Sequence, residues 1–343
     1  MHQRQHYARR LCAAVAAAIT MASFASLSAT SAAERSPKRT TAAPVPISSL
    51  KDLEALLRAG ASTKDLAGVV VPVTQVDHDV AAYRGCLIAY NANDGLAGRP
   101  SNTTCTWGDA AAAKTVVLYG DSAAASWVPA FNALGLANGF KVVLVARQSC
   151  RTASIETLDY WTDASGAACR AFRTQAVPMI NALKPAAVVI VDHASSIQRA
   201  DNHTVIPEAT YAAAEVATYQ ALSAPRRELI QFSDLPDFAV SPTACLKQHP
   251  HAVKTCNSPL SVATQHAFGY SAALAAQGGA HFVNVERMLC TSSTCPIVVN
   301  HTITTYDGGG STTNYKFGGN FLTAHFSAEL APVLGEVLAP FGI

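Results

Sequence analysis

A serine set where a strand turns sharply into a helix has the makings of a nucleophile. The turn exposes its hydroxyl, and the turn and helix N-terminus supply backbone N–H donors for a developing oxyanion. The chain offers such a place where Thr115-Val-Val-Leu-Tyr runs into Gly120-Asp121-Ser122 and continues as Ala-Ala-Ala-Ser-Trp127. Gly120 permits the turn and Asp121 can cap or brace it; plain helix capping by Asp121 and Ser122 is the alternative use of the same residues. A serine nucleophile needs a base, and a histidine is the usual one. His325 stands just before Ser327 and a stretch in which Leu330, Val333, Leu334, Val337 and Leu338 recur at helical spacing, with Pro332 early enough to kink it. A histidine on the loop entering that helix could overlie the end of the first strand and take the Ser122 proton. His193 is a rival base, because it too follows an apolar strand-like run.

These residues need elements to carry them. Five short runs, Thr115–Tyr119, Phe140–Val145, Ala186–Val191, Arg227–Phe232 and His281–Val285, are rich in β-branched residues and suit strands buried on both faces of a parallel sheet. The Ala-rich segments 124–138, 168–183, 207–224 and 258–277 read as helices between them. The alternation predicts an α/β fold, a doubly wound and mostly parallel five-stranded sheet with right-handed crossovers. Ligands in such folds bind at the carboxyl ends of the strands, where Ser122 and His193 would stand. Ahead of this domain, assigned to residues 81–343, Ser49 and Asp52 begin a capping-box-like helix. Leu50, Leu53, Leu56 and Leu57 form its apolar face and Gly60 stops it, which makes residues 48–80 an N-terminal helical extension.

Composition narrows the classes. The chain has 343 residues, of which half are hydrophobic and 14% charged, enough apolar side chain for a sizeable core. A net charge of +2 with no basic block among aromatics argues against nucleic acid. No carboxylate and histidine cluster has ligand spacing, so no metal or other cofactor is expected and a metal phosphatase is disfavoured. Residues 1–33 read as a secretory signal peptide: Arg4, Arg9 and Arg10, then an apolar stretch from Leu11 to Leu27, then Ser31-Ala32-Ala33 before Glu34. An uncleaved membrane anchor is the alternative. Residues 34–47, polar and proline-containing, read as a linker. Apart from Cys12 the cysteines are Cys86, Cys105, Cys150, Cys169, Cys245, Cys256, Cys290 and Cys295, an even set that suits disulfides in an exported chain. Such a set allows on the order of a hundred connectivities, and nearest-neighbour pairing is expected: Cys86–Cys105, Cys150–Cys169, Cys245–Cys256 and Cys290–Cys295. Zinc at Cys290 and Cys295 lacks a second ligand pair.

The order of several pieces resembles the SGNH (GDS-motif) hydrolase-type domain, as found at the C-terminus of bacterial membrane acyltransferases that O-acetylate surface polysaccharides and in stand-alone exported relatives. The pieces are Cys86 with Cys105-Thr-Trp-Gly, Thr115-Val-Val-Leu-Tyr-Gly-Asp-Ser122 with Trp127, Cys169-Arg-Ala-Phe-Arg173, Leu183-Lys-Pro-Ala-Ala-Val-Val189, Asp234-Leu-Pro236, Cys290 with Cys295-Pro-Ile-Val-Val, and His325-Phe-Ser327. The resemblance implies a flavodoxin-like three-layer fold, Ser122 as nucleophile and His325 as base. It also implies an esterase or O-acyltransferase acting on acyl, most often acetyl, esters of envelope polysaccharide or glycolipid. The expected partners are that carbohydrate and a membrane acyltransferase, and the expected place is the periplasm, envelope or exterior.

Departures from the family pattern pose the sharper questions. The residue after the nucleophile is Ala123 in place of a histidine, and Leu322 stands three residues before His325 where an aspartate is usual. Without that acid, three outcomes are open: Asp307 folds back to serve, a Ser–His dyad works with a backbone carbonyl, or the site is degenerate and the domain is a carbohydrate-binding or scaffold module. Asp307 precedes an inserted Gly/Thr/Asn-rich stretch, Gly308 to Asn320. For the oxyanion, the family's Gly after the second strand and Asn after the third are missing. A backbone N–H near Ser149 and the side chain of His193, next to Asp192, are the candidates to replace them.

Overall fold

A computed structural model describes residues 44–83, 85–89, 96, 99–101, 103–157, 166–193, 204–238, 240–264, 272–307 and 321–343. The signal-like segment 1–33, most of the linker and the stretch Gly308–Asn320 lie outside these residues.

The central sheet follows the apolar runs. Its main strands are β3 (Thr115–Gly120), β4 (Lys141–Arg147), β5 (Ala187–Val191), β6 (Glu228–Phe232) and β8 (His281–Val283), all parallel. Their spatial order is β4-β3-β5-β6-β8, the flavodoxin-like winding, with the order reversing beside β3. The five-stranded expectation is extended by two short strands on the outer edge of β4. These are β1 (Leu87–Ile88), parallel to it, and β2 (Thr106–Gly108), antiparallel to it. Both were too short to show a period in the sequence.

Alternate residues of each strand feed opposite layers. Val116, Leu118, Val142, Leu144, Val189 and Val191 enter a core shared with α1 (Leu50–Gly60), α3 (Val128–Asn138), α9 (Ala324–Glu329) and α10 (Ala331–Leu338). Val117, Tyr119, Val143, Val145, Val188 and Ile190 enter the other core, under α4 (Ala167–Leu183) and α5 (Glu208–Leu222). Because both faces are covered, the strands read as continuous hydrophobic runs.

Two predicted helices are broken in the structure. The segment 258–277 contains a short strand β7 (Ser258–Pro259), α7 (Leu260–Ala263) and α8 (Ala272–Gln277). The C-terminal helix splits into α9 and α10 at Leu330, and Pro332 stands in the first turn of α10, where a missing N–H costs nothing. Between these regions lie α6 (Pro242–Gln248) and three β pairings: β7 with β9 (Thr294–Cys295), β10 (Val298–Val299) with β11 (Thr302–Ile303), and β12 (Thr305–Tyr306) with β13 (Phe321–Leu322).

The N-terminal extension is built into the domain. Ser49 Oγ accepts from Asp52 N–H at 3.2 Å to start α1, and Leu53 and Leu57 are fully packed. Gly60 ends α1 against β10, where a Cβ would stand 2.5 Å from the Val298 carbonyl oxygen. The chain then runs through a short turn at Val76–His78, with Val76 in the core, to Asp79. The four nearest-neighbour cysteine pairs are disulfide-bonded: Cys86–Cys105, Cys150–Cys169, Cys245–Cys256 and Cys290–Cys295.

Candidate active site

Ser122 is the first residue of α2 (Ser122–Ser126), directly after β3. Gly120 makes the junction possible for a steric reason: a Cβ there would lie 1.7 Å from the Val191 carbonyl oxygen, inside the neighbouring strand β5. Asp121, 2% exposed, accepts from Ala123 N–H through Oδ1 at 2.8 Å and from His193 N–H through Oδ2 at 3.1 Å. One carboxylate thus caps α2 and ties the nucleophile turn to the end of β5. Burial, together with the charge of Asp192, raises its pKa to about 6, against the opposing pull of Arg151 and His193.

His325 lies in the first turn of α9. The strand leading into α9, β13, lies against α2, and α9 itself lies against α3, the helix that follows α2. Ser327 Oγ also accepts from Ala130 N–H at 3.3 Å. His325 Nδ1 is 2.7 Å from Asp79 Oδ1, and the same oxygen accepts from the His325 backbone N–H at 3.3 Å. A further bond runs from Ala324 N–H to the Asp79 carbonyl at 2.8 Å. An ionised carboxylate can only accept, so Nδ1 is the donor, and in the neutral ring this is the tautomer that leaves the Nε2 lone pair a general base needs. The Asp79 side chain is 5% exposed while the His325 ring is 53% exposed: a sheltered acid behind an open base.

Asp79 was absent from the sequence reading, and it takes the place considered for Asp307. The Asp307 carboxylate is engaged elsewhere: Oδ2 accepts from Ser241 Oγ at 2.5 Å and from Thr243 N–H at 3.3 Å, at the start of α6. The bond from His325 to a side-chain carboxylate likewise removes the need for a backbone carbonyl. Leu322 is buried in the core on β13, so the position usual for the acid is used here for packing. The one hint in the sequence was the missing acid itself, which left room for a carboxylate from elsewhere in the chain.

His193 forms a second histidine–carboxylate pair, with Nδ1 2.8 Å from Asp234 Oδ1 and a side chain only 16% exposed. Burial alone would push its pKa down, but the charge and hydrogen bond of Asp234 outweigh that and lift it to about 9. The pairing with Asp234 favours the charged ring, which is a poorer proton acceptor than a neutral imidazole.

Ser149 occupies the turn after β4 with φ 60°, the left-handed region where the family's glycine would be at ease. Among the described residues no partner is found for the N–H of Ser122 or that of Ser149. Asp192 Oδ2 accepts from Thr152 N–H at 2.5 Å and from Thr152 Oγ at 2.8 Å. No group of acidic, histidine or cysteine side chains able to hold a metal occurs among the described residues.

The SGNH domain (fused to AT3 domains) matches residues 85–309, a span that holds Ser122, Ser149, Asp192 and His193 and leaves Asp79 and His325 on either side. The structure is similar to that of the periplasmic domain of the Salmonella ser. Paratyphi A lipopolysaccharide acetyltransferase. The two are 12% identical, the match covers 86% of this chain and 97% of that one, and the TM-score is 0.45. No curated protein matches the chain.

Proposed function

Since the chain belongs to the SGNH domain family, the domain described as fused to AT3 domains, we propose that it is an exported serine esterase or O-acyltransferase acting on acyl, chiefly acetyl, esters of cell-envelope polysaccharide or glycolipid. The observation that carries this reading is the hydrogen bond from His325 Nδ1 to Asp79, because it orients the ring at the start of α9, directly after β13, the strand that packs against the Ser122 helix α2. Ser122 Oγ attacks the ester carbonyl as His325 Nε2 takes its proton. The ester C–O bond then breaks, and the proton passes to the departing sugar hydroxyl, leaving acyl-Ser122. Water completes hydrolysis, and a second sugar hydroxyl completes transfer. The N–H groups of Ser122 and Ser149 are the oxyanion donors in this reading. Asp79 holds the imidazole and stabilises its cation.

The family's description as fused to AT3 domains supports a membrane acyltransferase as the partner that delivers or receives the acyl group. Four disulfides and the N-terminal pattern support export, with residues 1–33 as the signal and 34–47 as a linker. No helix among the described residues is long and apolar enough to cross a membrane. A non-catalytic carbohydrate-binding module drew its support from Leu322 and Ala123, and Asp79 supplies what Leu322 lacks. The test is labelling by a fluorophosphonate probe and turnover of p-nitrophenyl acetate, both expected in the wild type and both abolished by Ser122→Ala. Well-folded wild-type protein that neither labels nor turns over would leave the binding module as the reading.

A further inference from the structure

The turn that follows β4 is held from several directions at once. Gln148 N–H bonds the Ile88 carbonyl at 2.9 Å and Cys150 N–H bonds the Arg147 carbonyl at 3.2 Å. Arg151 Nη1 donates to the Ser149 carbonyl at 3.3 Å, Arg173 Nη1 to the Arg151 carbonyl at 3.3 Å, and Thr218 Oγ to the Thr152 carbonyl at 2.8 Å. The Cys150–Cys169 bond fastens the turn to α4. A non-glycine residue in the left-handed region persists only where its surroundings over-determine it, and Ser149 is such a residue.

Within this set Asp192 has a distinct position. It follows β5 directly, is 1% exposed, and receives both the N–H and the hydroxyl of Thr152 on a single oxygen. The next residue, His193, donates its backbone N–H to Asp121, the cap of the nucleophile helix. Three strand ends are therefore joined in one chain of bonds: Asp121 beside Ser122 after β3, Asp192-His193 after β5, and Thr152 in the turn after β4.

We propose that Asp192 is a positioning residue, which fixes the Ser149 turn relative to Ser122 by holding Thr152 and so builds the oxyanion site without the family's glycine. This inference rests on the acyl-transfer reading above. What the role requires is an acceptor oxygen in this place; a negative charge is not essential to it. Asparagine preserves the oxygen and alanine does not.

Three full-chain variants with disulfides intact test this on p-nitrophenyl acetate. Loss of an oxyanion donor costs about 10²-fold or more in turnover, so Asp192→Ala is expected to lower kcat by about that factor with KM within about threefold of wild type. Asp192→Asn is expected within about fivefold of wild type, and Thr152→Val, which keeps the N–H bond and loses the hydroxyl bond, about five- to tenfold below it. Asn as damaging as Ala would overturn the proposal, as would a raised KM with unchanged kcat, which marks a substrate contact. If Asp192→Ala does not fold, Thr152→Val decides: wild-type kcat in that variant overturns the proposal. Activity indifferent to Ser122→Ala would sink the underlying reading, whereas Ser122-dependent activity indifferent to Asp192 and Thr152 sinks this inference alone.

Discussion

Replacing Asp79 by asparagine removes one charge and little volume from behind His325. The amide presents an NH₂ group as well as an oxygen, and an NH₂ donating to Nδ1 would trap the tautomer whose Nε2 cannot accept the Ser122 proton. The electrostatic part can be sized from the geometry. Opposite charges about 4 Å apart attract by about 1 kcal/mol in water and about 4 kcal/mol near a protein surface. A buried carboxylate facing a ring that is 53% exposed lies between those limits. Taking about 2–3 kcal/mol for stabilisation of the imidazolium in the transition state gives a loss of about 30- to 150-fold in kcat. Tautomer trapping carries the total to about 10²–10³-fold, less than the roughly 10⁴ known for a buried protease triad. The assay is kcat and KM for p-nitrophenyl acetate beside the rate of fluorophosphonate labelling. Thermal melts confirm that the Ala324 and His325 backbone bonds to Asp79 have not simply come loose. An Asp79→Asn enzyme within about threefold of wild type, beside an inactive His325→Ala, would refute the reasoning. A larger loss in Asp307→Asn than in Asp79→Asn would do the same.

Other expectations concern stability. His193 has a folded-state pKa of about 9, above its ordinary value, so its pairing with Asp234 stabilises fully below about pH 6.5 and is lost as pH rises through 9. Urea melts should show up to about 3 kcal/mol of alkaline loss in wild type and little of it in Asp234→Asn. Asp121 has the opposite sense for a carboxylate: its pKa is raised to about 6, so its ionisation costs stability above that pH, and the cost fades as pH falls toward about 4. Asp121→Asn should therefore flatten the acid side of the stability profile, read by the same melts. Gly120→Ala should prevent folding or cost more than about 4 kcal/mol, because the new methyl group meets the Val191 carbonyl; soluble yield and circular dichroism report it. Paired removal of Cys86 and Cys105, which are 19 residues apart, should lower the unfolding free energy by about 3 kcal/mol, measured in denaturant.

The parts of the site that were legible in the sequence are those made by local chemistry. Strands buried on both faces announce themselves as β-branched runs, and the Gly120-Asp121-Ser122 turn follows from the end of one of them. His325 was legible from its place before an amphipathic helix together with the resemblance to the family. Asp79 was not, because it lies in an irregular stretch with no period and meets His325 across 246 residues of chain. Asp307 stood nearer in sequence and invited the assignment, yet its carboxylate is taken by the N-terminus of α6. The upward pull on the His193 pKa was hidden for a similar reason: Asp234, its cause, sits on a different strand end. Short edge strands such as β1 and β2 left no pattern, since two or three residues cannot display a period.

The long loop closed by Asp79 and His325 has a bearing on when the Ser122 site proposed above is completed. A polypeptide is made in order from its N-terminus, so the carboxylate arrives early, the serine next, and the imidazole more than two hundred residues later. On the proposed reading, until that last segment docks Ser122 lacks the base assigned to it. Activity on that reading would therefore report completed folding, reached only once the segments on either side of the matched span 85–309 have met.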